Sequence, residues 1–302
     1  MTSPAPSFLV IGECVADIVR TDGAPDRVHP GGSPANVAYG LARLGLPTAL
    51  LTQLGADPNG RLIRAHLESA GVTVLADAEE GARTPSAVVE LDEQGRARYT
   101  FDIGWTLTPR DLPYTPGHLH IGSIAAVGEP GASAVLALVE RFRSRATVSY
   151  DPNVRPALMG EREQAVRRVE RCVALSDLVK ASDEDLAWLY PGQDPEQVAR
   201  RWLGLGPAVV AVTRGGDGAF ALTADGRRVE AAAVPVTVAD TVGAGDAFMA
   251  ALLRARHSGA ALAEALVEAV TAAALTVART GANPPDAGEL RAALRAGTPG
   301  VG

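Results

Sequence analysis

Two cysteines in 302 residues, Cys14 and Cys172, are too few for a disulfide framework and wrongly spaced for a zinc site. Both read as packing residues. Lysine is scarcer still: Lys180 is the only one, and all other members of the 28 Lys and Arg side chains are arginine. That excludes a P-loop phosphotransferase, whose lysine follows the last glycine of its loop, because Lys180 stands between Val179 and Ala181. No run approaches the roughly eighteen apolar residues that cross a bilayer. Nothing basic precedes the short apolar stretch Phe8 to Ile11, so no signal peptide is expected and a cytoplasmic location is. A net charge of -7, without an arginine cluster interleaved with aromatics, argues against nucleic acid. Gly12 is followed by Glu13 and Cys14, not by the further glycines of a dinucleotide fingerprint. What is left is a small-molecule partner.

At 47% hydrophobic and 21% charged the composition is that of an ordinary globular protein. The length suits one α/β domain spanning 1–302. Phe8 to Ile11 and Thr48 to Leu54 read as buried strands, each followed by a glycine turn and a helix. In the first of those helices Ser33 is the expected N-cap and Pro34 the first helical residue. Strand and helix alternate again from His118 to Thr213, and the last third is mostly helical. This predicts a doubly wound, mostly parallel central sheet flanked by helices, with ligands at the carboxyl ends of the strands. Between them, Ser86 to Leu91 and Arg96 to Phe101 alternate apolar and polar residues about a turn, which predicts a small antiparallel β lid formed by about 13–30 and 72–105.

Asp240-Thr241-Val242-Gly243-Ala244-Gly245-Asp246 opens a helix. Small residues let backbone N–H groups approach an anion, and a helix N-terminus adds partial positive charge, so Gly243, Ala244 and Gly245 form a candidate phosphate cradle. Asp246 is either a base toward an attacking hydroxyl or an acid that steadies the first turn. Asp151-Pro152-Asn153-Val154-Arg155 lies at a strand end, where Arg155 is either a fork for phosphate or carboxylate or an arginine tied to Asp151 or a helix end. Asp17 reads as a ligand or as a solvated lid residue, and Asn36 as a ligand or as a turn residue. Lys180 either reaches a phosphate or is solvated. His118 and His120 share one strand face, a metal-like spacing that packing explains better without a third ligand nearby. Tyr99, Phe101 and Trp105 are lid core or close on a ligand.

Gly31-Gly32-Ser33-Pro34-Ala35-Asn36-Val37-Ala38 with Gly40 to Gly45, and Asp240 to Asp246, resemble the two signatures of the ribokinase-like (phosphofructokinase-B type, PfkB) carbohydrate kinases. The resemblance covers essentially the whole chain, through Gly55 to Gly60, Asp151 to Arg155, Lys180 to Asp185 and Val212 to Gly218. It implies ATP-dependent transfer of phosphate to a small sugar, with Asp246 as base and Gly243 to Gly245 as anion hole. It further implies that Asp17, Gly31, Gly32 and Asn36 bind sugar hydroxyls, that Thr213, Gly215 and Gly218 form a nucleotide turn, and that Asn283 borders the adenine.

The family's magnesium-organising Asn-x-x-Glu is replaced here by Ser182-Asp183-Glu184-Asp185. The acid therefore maps to Asp185, with Glu184 as substitute, and Lys180 and Ser182 face the nucleotide. Asp240 resembles the holder of a monovalent cation such as K+. Gly12-Glu13 and Asp151 to Arg155 are most similar to fructokinases, with 2-keto-3-deoxygluconate kinases next and ribokinases or nucleoside kinases behind. A non-catalytic binding protein on the same scaffold would lose the base or the anion hole, and both are intact. Members often pair through the lid, so a homodimer is an expectation of the resemblance.

Overall fold

A computed structural model of the protein describes residues 6–21, 25–77, 83–91, 97–108, 111–112 and 114–297. β1 (Phe8–Ile11) is buried along its length, with Leu9 and Ile11 in one core and Phe8 and Val10 in the other. A strand covered on both faces has no wet side, which is why its sequence is a continuous apolar run. The remaining strands are β2 (Val15–Thr21), β3 (Arg27–Gly31), β4 (Thr48–Gln53), β5 (Thr73–Asp77), β6 (Ser86–Leu91), β7 (Ala97–Asp102) and β8 (His118–Gly122). β9 (Thr147–Asp151), β10 (Leu178–Ser182), β11 (Val209–Thr213), β12 (Ala219–Thr223) and β13 (Arg228–Ala231) follow.

Among the described residues the large sheet has the order β13-β12-β11-β10-β9-β8-β1-β4-β5. It is parallel from β11 to β5, and β12 and β13 extend it antiparallel. One core lies against helices Gly131–Phe142, Arg162–Ala174, Asp183–Leu189 and Pro195–Leu203, the other against Ser33–Arg43, Ala244–His257 and Leu262–Val277. Going from β1, the chain moves outward to β4 and β5, then returns to lay β8 on the other side of β1. The strand order therefore reverses between β1 and β8, and a crevice opens at their carboxyl ends.

The second sheet has the order β3-β2-β6-β7, two antiparallel pairs joined by a parallel pairing of β2 with β6. The expected hairpin is present, with its turn at 92–96 and the side chain of Tyr99 outside the described residues.

Several expected boundaries are corrected. The stretch from 72 onward does not all belong to the small sheet, because β5 pairs parallel with β4 at the edge of the large one. β12 and β13, which the sequence reading did not name, extend the sheet beyond β11: only a single 3-10 turn, Gly215–Asp217, separates β11 from β12, so the glycine turn after Thr213 folds the chain straight back as a hairpin. Ser33 is not the N-cap of its helix. Gly32, at φ 98, takes that place, and the Ser33 hydroxyl is engaged elsewhere. No helix among the described residues is long and apolar enough to cross a membrane.

Candidate active site

The helix Ala244–His257 starts on Gly243, whose φ of 77 lies in the left-handed region and whose Cβ, if it had one, would sit 2.6 Å from that of Ala282. Only glycine fits that turn without strain. The first N–H groups of the helix lack intrahelical partners and carry its positive end, so they face whatever lies beyond Gly243. Asp246 is in this first turn, yet its carboxylate is buried and bridged to another helix. Ser33 Oγ donates to Oδ1 at 2.7 Å and Asn36 Nδ2 donates to Oδ2 at 2.8 Å. Ser33 and Asn36 are three apart on helix Ser33–Arg43 and so share a face. Burial pushes the Asp246 carboxyl up, while these hydrogen bonds and the charges of Lys180 and Arg155 pull it back.

Asp246 opens on a cavity of about 960 Å³ at the carboxyl ends of the large sheet. One end, below β1 and β2, is lined by Glu13, Asp17, Gly32, Asn36 and Arg155. The other, beyond β11, is lined by Thr213, Gly215, Gly218, Val236, Val238 and Val277. β1 and β11 are four strand spacings apart in the sheet, which puts the two ends roughly 19 Å from each other. Gly243, Ala244, Gly245 and Asp246 line the stretch between.

Asp17 reaches the cavity because β3 gives way. A Cβ on Gly31 would fall 2.1 Å from Asp17 Oδ2, so Gly31 serves the pocket by being absent from it. Burial pushes the Asp17 carboxyl up to about 6 against the pull of His29 and Arg155. Arg155 Nη1 donates to Asn153 Oδ1 at 2.9 Å and to the carbonyls of Val154 and Asn153, not to Asp151.

Lys180 is not solvated. Its Nζ lies 2.9 Å from Asp151 Oδ2, both side chains are nearly inaccessible, and it still borders the cavity beneath Gly245. Ser182 and Asp185 form a capping box at the start of helix Asp183–Leu189. Asp185 Oδ2 accepts from Ser182 N at 2.8 Å and Oδ1 from Val154 N at 2.7 Å, so this carboxylate fastens the Asp151 to Arg155 loop to the β10 end. Glu184 is exposed on the same wall.

Besides Gly31, two expected site residues, Asp240 and Asn283, stand outside the lining among the described residues. Asp240 accepts from Val242 N at 3.0 Å and Gly281 N at 2.9 Å, bracing the loop ahead of Gly243 against the 281 turn, and those hydrogen bonds hold its carboxyl low. Asn283 is exposed just past Ala282. His118 Nε2 and His120 Nδ1 both lie within 2.9 Å of Ser149 Oγ, and burial pushes both imidazoles down to about 3. They are packing residues: both His118 nitrogens have hydroxyl partners, while His120 Nε2 is buried without one among the described residues. Trp105 and Phe101 divide: Trp105 is buried against Gly131, while Phe101 lines the cavity. Sequence reasoning passed over Ser33 as a site residue and gave no role to Glu13 or Ser123, which also line the cavity. The only signal for Ser33 was its helical spacing to Asn36.

A profile described as "pfkB family carbohydrate kinase" matches residues 5–287. The chain belongs to this family of carbohydrate kinases. Among PfkB relatives, it is 37% identical over 288 residues to the fructokinase of Klebsiella pneumoniae, covering 90% of this chain and 94% of that one. A Vibrio cholerae O395 fructokinase double mutant, in its fructose, ADP and potassium ion bound form, superimposes with a TM-score of 0.81 at 29% identity over 98% of this chain and 99% of its own. The aminoimidazole riboside kinase of Salmonella enterica, complexed with aminoimidazole riboside and an ATP analog, gives 0.83 at 28% identity over 95% and 99%. The PfkB assignment makes the protein an enzyme that phosphorylates a carbohydrate.

Proposed function

We propose that the protein is an ATP-dependent fructokinase. The observation that carries the kinase chemistry is the junction of Asp246 with Ser33 and Asn36. It holds a buried carboxylate at the positive end of a helix, midway along a cavity long enough for a nucleotide and a sugar end to end. The relatives named fructokinase support the choice of sugar.

In this reading Asp246 takes the proton of a sugar hydroxyl as that oxygen bonds to the γ-phosphorus of ATP and the bond to the bridging oxygen of ADP breaks. The N–H groups of Gly243, Ala244 and Gly245 meet the charge on the transferring group. Asp17, Gly32 and Asn36 hold sugar hydroxyls, with Gly31 clearing space for Asp17. Thr213, Gly215 and Gly218 hold the nucleotide against the aliphatic wall at Val236 and Val277, and Asn283 stands at its rim. Among the described residues no group of three His, Cys, Asp or Glu side chains suits a metal. Glu184 and Asp185 would order the waters of a magnesium ion, which would neutralise charge on the phosphates. A potassium ion beside Asp240 would steady the loop that Asp240 already braces. The small sheet contributes Asp17, Ala87 and Phe101 to the cavity and acts as a lid that excludes water, and as the contact of a homodimer. A cytoplasmic setting, where ATP is at hand, completes the reading.

An ADP-release assay over a panel of sugars tests it. Turnover highest with D-fructose supports the proposal; ADP release that no sugar stimulates overturns it.

A further inference from the structure

Glu13 follows β1 after Gly12, and Ser123 follows β8 directly, so the two stand side by side where the strand order reverses. Glu13 is 2% exposed and borders the sugar end of the cavity. Its Oε2 accepts from Ala125 N at 3.1 Å, and the Ser123 hydroxyl hydrogen-bonds it as well. Ser123 holds this position with a φ of 52, a conformation costly for any residue but glycine and one that clusters at functional sites. The phosphoryl transfer described above uses Asp246 and leaves Glu13 without a task. A buried carboxylate in a ligand cleft, penalised by desolvation and kept in place by two donors, is a candidate for ligand contact.

The charge around it narrows the ligand. Glu13, Asp17 and Asp246 all border the same end of the cavity, and all three are within the field of one guanidinium, Arg155. Arg155 Nη1 is already spent on Asn153 and Val154. A sugar acid or sugar phosphate entering here would add an anion to three acids that face Arg155 in common, with His29 acting on Asp17 and with Lys180 acting on Asp246 but already paired with Asp151, whereas a neutral polyol offers hydroxyl donors to each carboxylate.

Resting on the sugar-kinase reading, we propose that Glu13, positioned by Ser123 and Ala125, is a specificity-determining residue that contacts a hydroxyl of a neutral sugar and, with Asp17, turns away substrates bearing a carboxylate or phosphate. Glu13 takes no part in the proton transfer. Its removal therefore weakens sugar binding and relaxes selection while leaving the chemistry at Asp246 in place.

The experiment measures kcat and KM for D-fructose, D-ribose, 2-keto-3-deoxygluconate and fructose 6-phosphate in the wild type and in Glu13→Gln. The wild type is expected to favour its best neutral sugar over either anion by roughly 100-fold or more in kcat/KM, and Glu13→Gln to raise the KM for that sugar about tenfold, as for one lost hydrogen bond to a charged group. The KM for ATP stays unchanged, and the ratio of neutral to anionic sugar narrows. Ser123→Ala, which keeps the carboxylate but frees it, shows the same KM effect more weakly. A wild type that uses the sugar acid as well as any neutral sugar overturns the inference, as does a Glu13→Gln variant with unchanged sugar KM and unchanged ratio. A wild type that prefers D-ribose, with the anions still rejected, overturns the fructokinase reading and supports the role of Glu13.

Discussion

The ammonium of Lys180 lies 2.9 Å from Oδ2 of Asp151, with the two side chains 4% and 1% exposed. The pair sits below the start of helix Ala244–His257, where a Cβ on Gly245 would come within 2.9 Å of Nζ. The chain's only lysine is thus a buried counter-charge for a wall of acids, Asp151, Asp185 and Asp246. Lys180→Met leaves Asp151 buried and unpaired, and the expected loss is about 3–5 kcal/mol in chemical denaturation. Adding Asp151→Asn restores most of that stability but not turnover. A single variant as stable as the wild type would show that the pair contributes nothing to the fold.

Asp246→Asn keeps the shape of the site and both helix contacts while removing the base. Turnover falls by roughly a thousandfold or more, the range of a general base plus its positioning. Sugar binding, read by calorimetry, changes little. Near-normal turnover would remove Asp246 from the chemistry.

Ser33→Ala deletes one of the two hydrogen bonds to that carboxylate. Since the bond favours the ionised form, its loss raises the Asp246 pKa further, and the acid-side fall in kcat/KM moves to higher pH. The rate at the optimum drops roughly tenfold or more, the value of a hydrogen bond to a charged acceptor. A pH profile superimposable on the wild type would make Ser33 a packing residue only.

Glu13 governs a pH-dependence of stability. Burial pushes its carboxyl from an ordinary 4.5 up to about 7. Between those values the folded chain holds a proton that the unfolded chain has released, so the contribution of Glu13 falls as pH rises. Relative to Glu13→Gln, the wild type loses on the order of 3 kcal/mol over that window. Urea midpoints of both proteins across it give the difference directly, and a difference flat with pH would mean that Glu13 ionises as an exposed acid does.

The amino-acid sequence by itself determined the class of fold and the location of the chemistry. Continuous apolar strands such as Phe8 to Ile11 have one physical solution, a sheet covered on both faces. A helix that opens on Gly243-Ala244-Gly245 presents backbone N–H groups whatever packs around it. Those are local properties, with periods of two or a few residues, and they are legible in one dimension. The tertiary structure decided which polar groups meet. Ser33 reads locally as a helix cap, and only the approach of a helix 213 residues away turns its hydroxyl toward Asp246. Asp185 reads as a metal-organising acid, and only the fold shows that the loop at Val154 also closes on it. Lys180 reads as a phosphate contact or a solvated side chain, and only the fold shows Asp151, one strand over, pairing with its charge. Glu13 gained its neighbour Ser123 because β1 and β8, more than 100 residues apart in sequence, are adjacent at the reversal of strand order. Burial and charge pairing depend on such long-range meetings, so the carboxylates that set the protein's chemistry and selectivity acquire their character only in the folded chain.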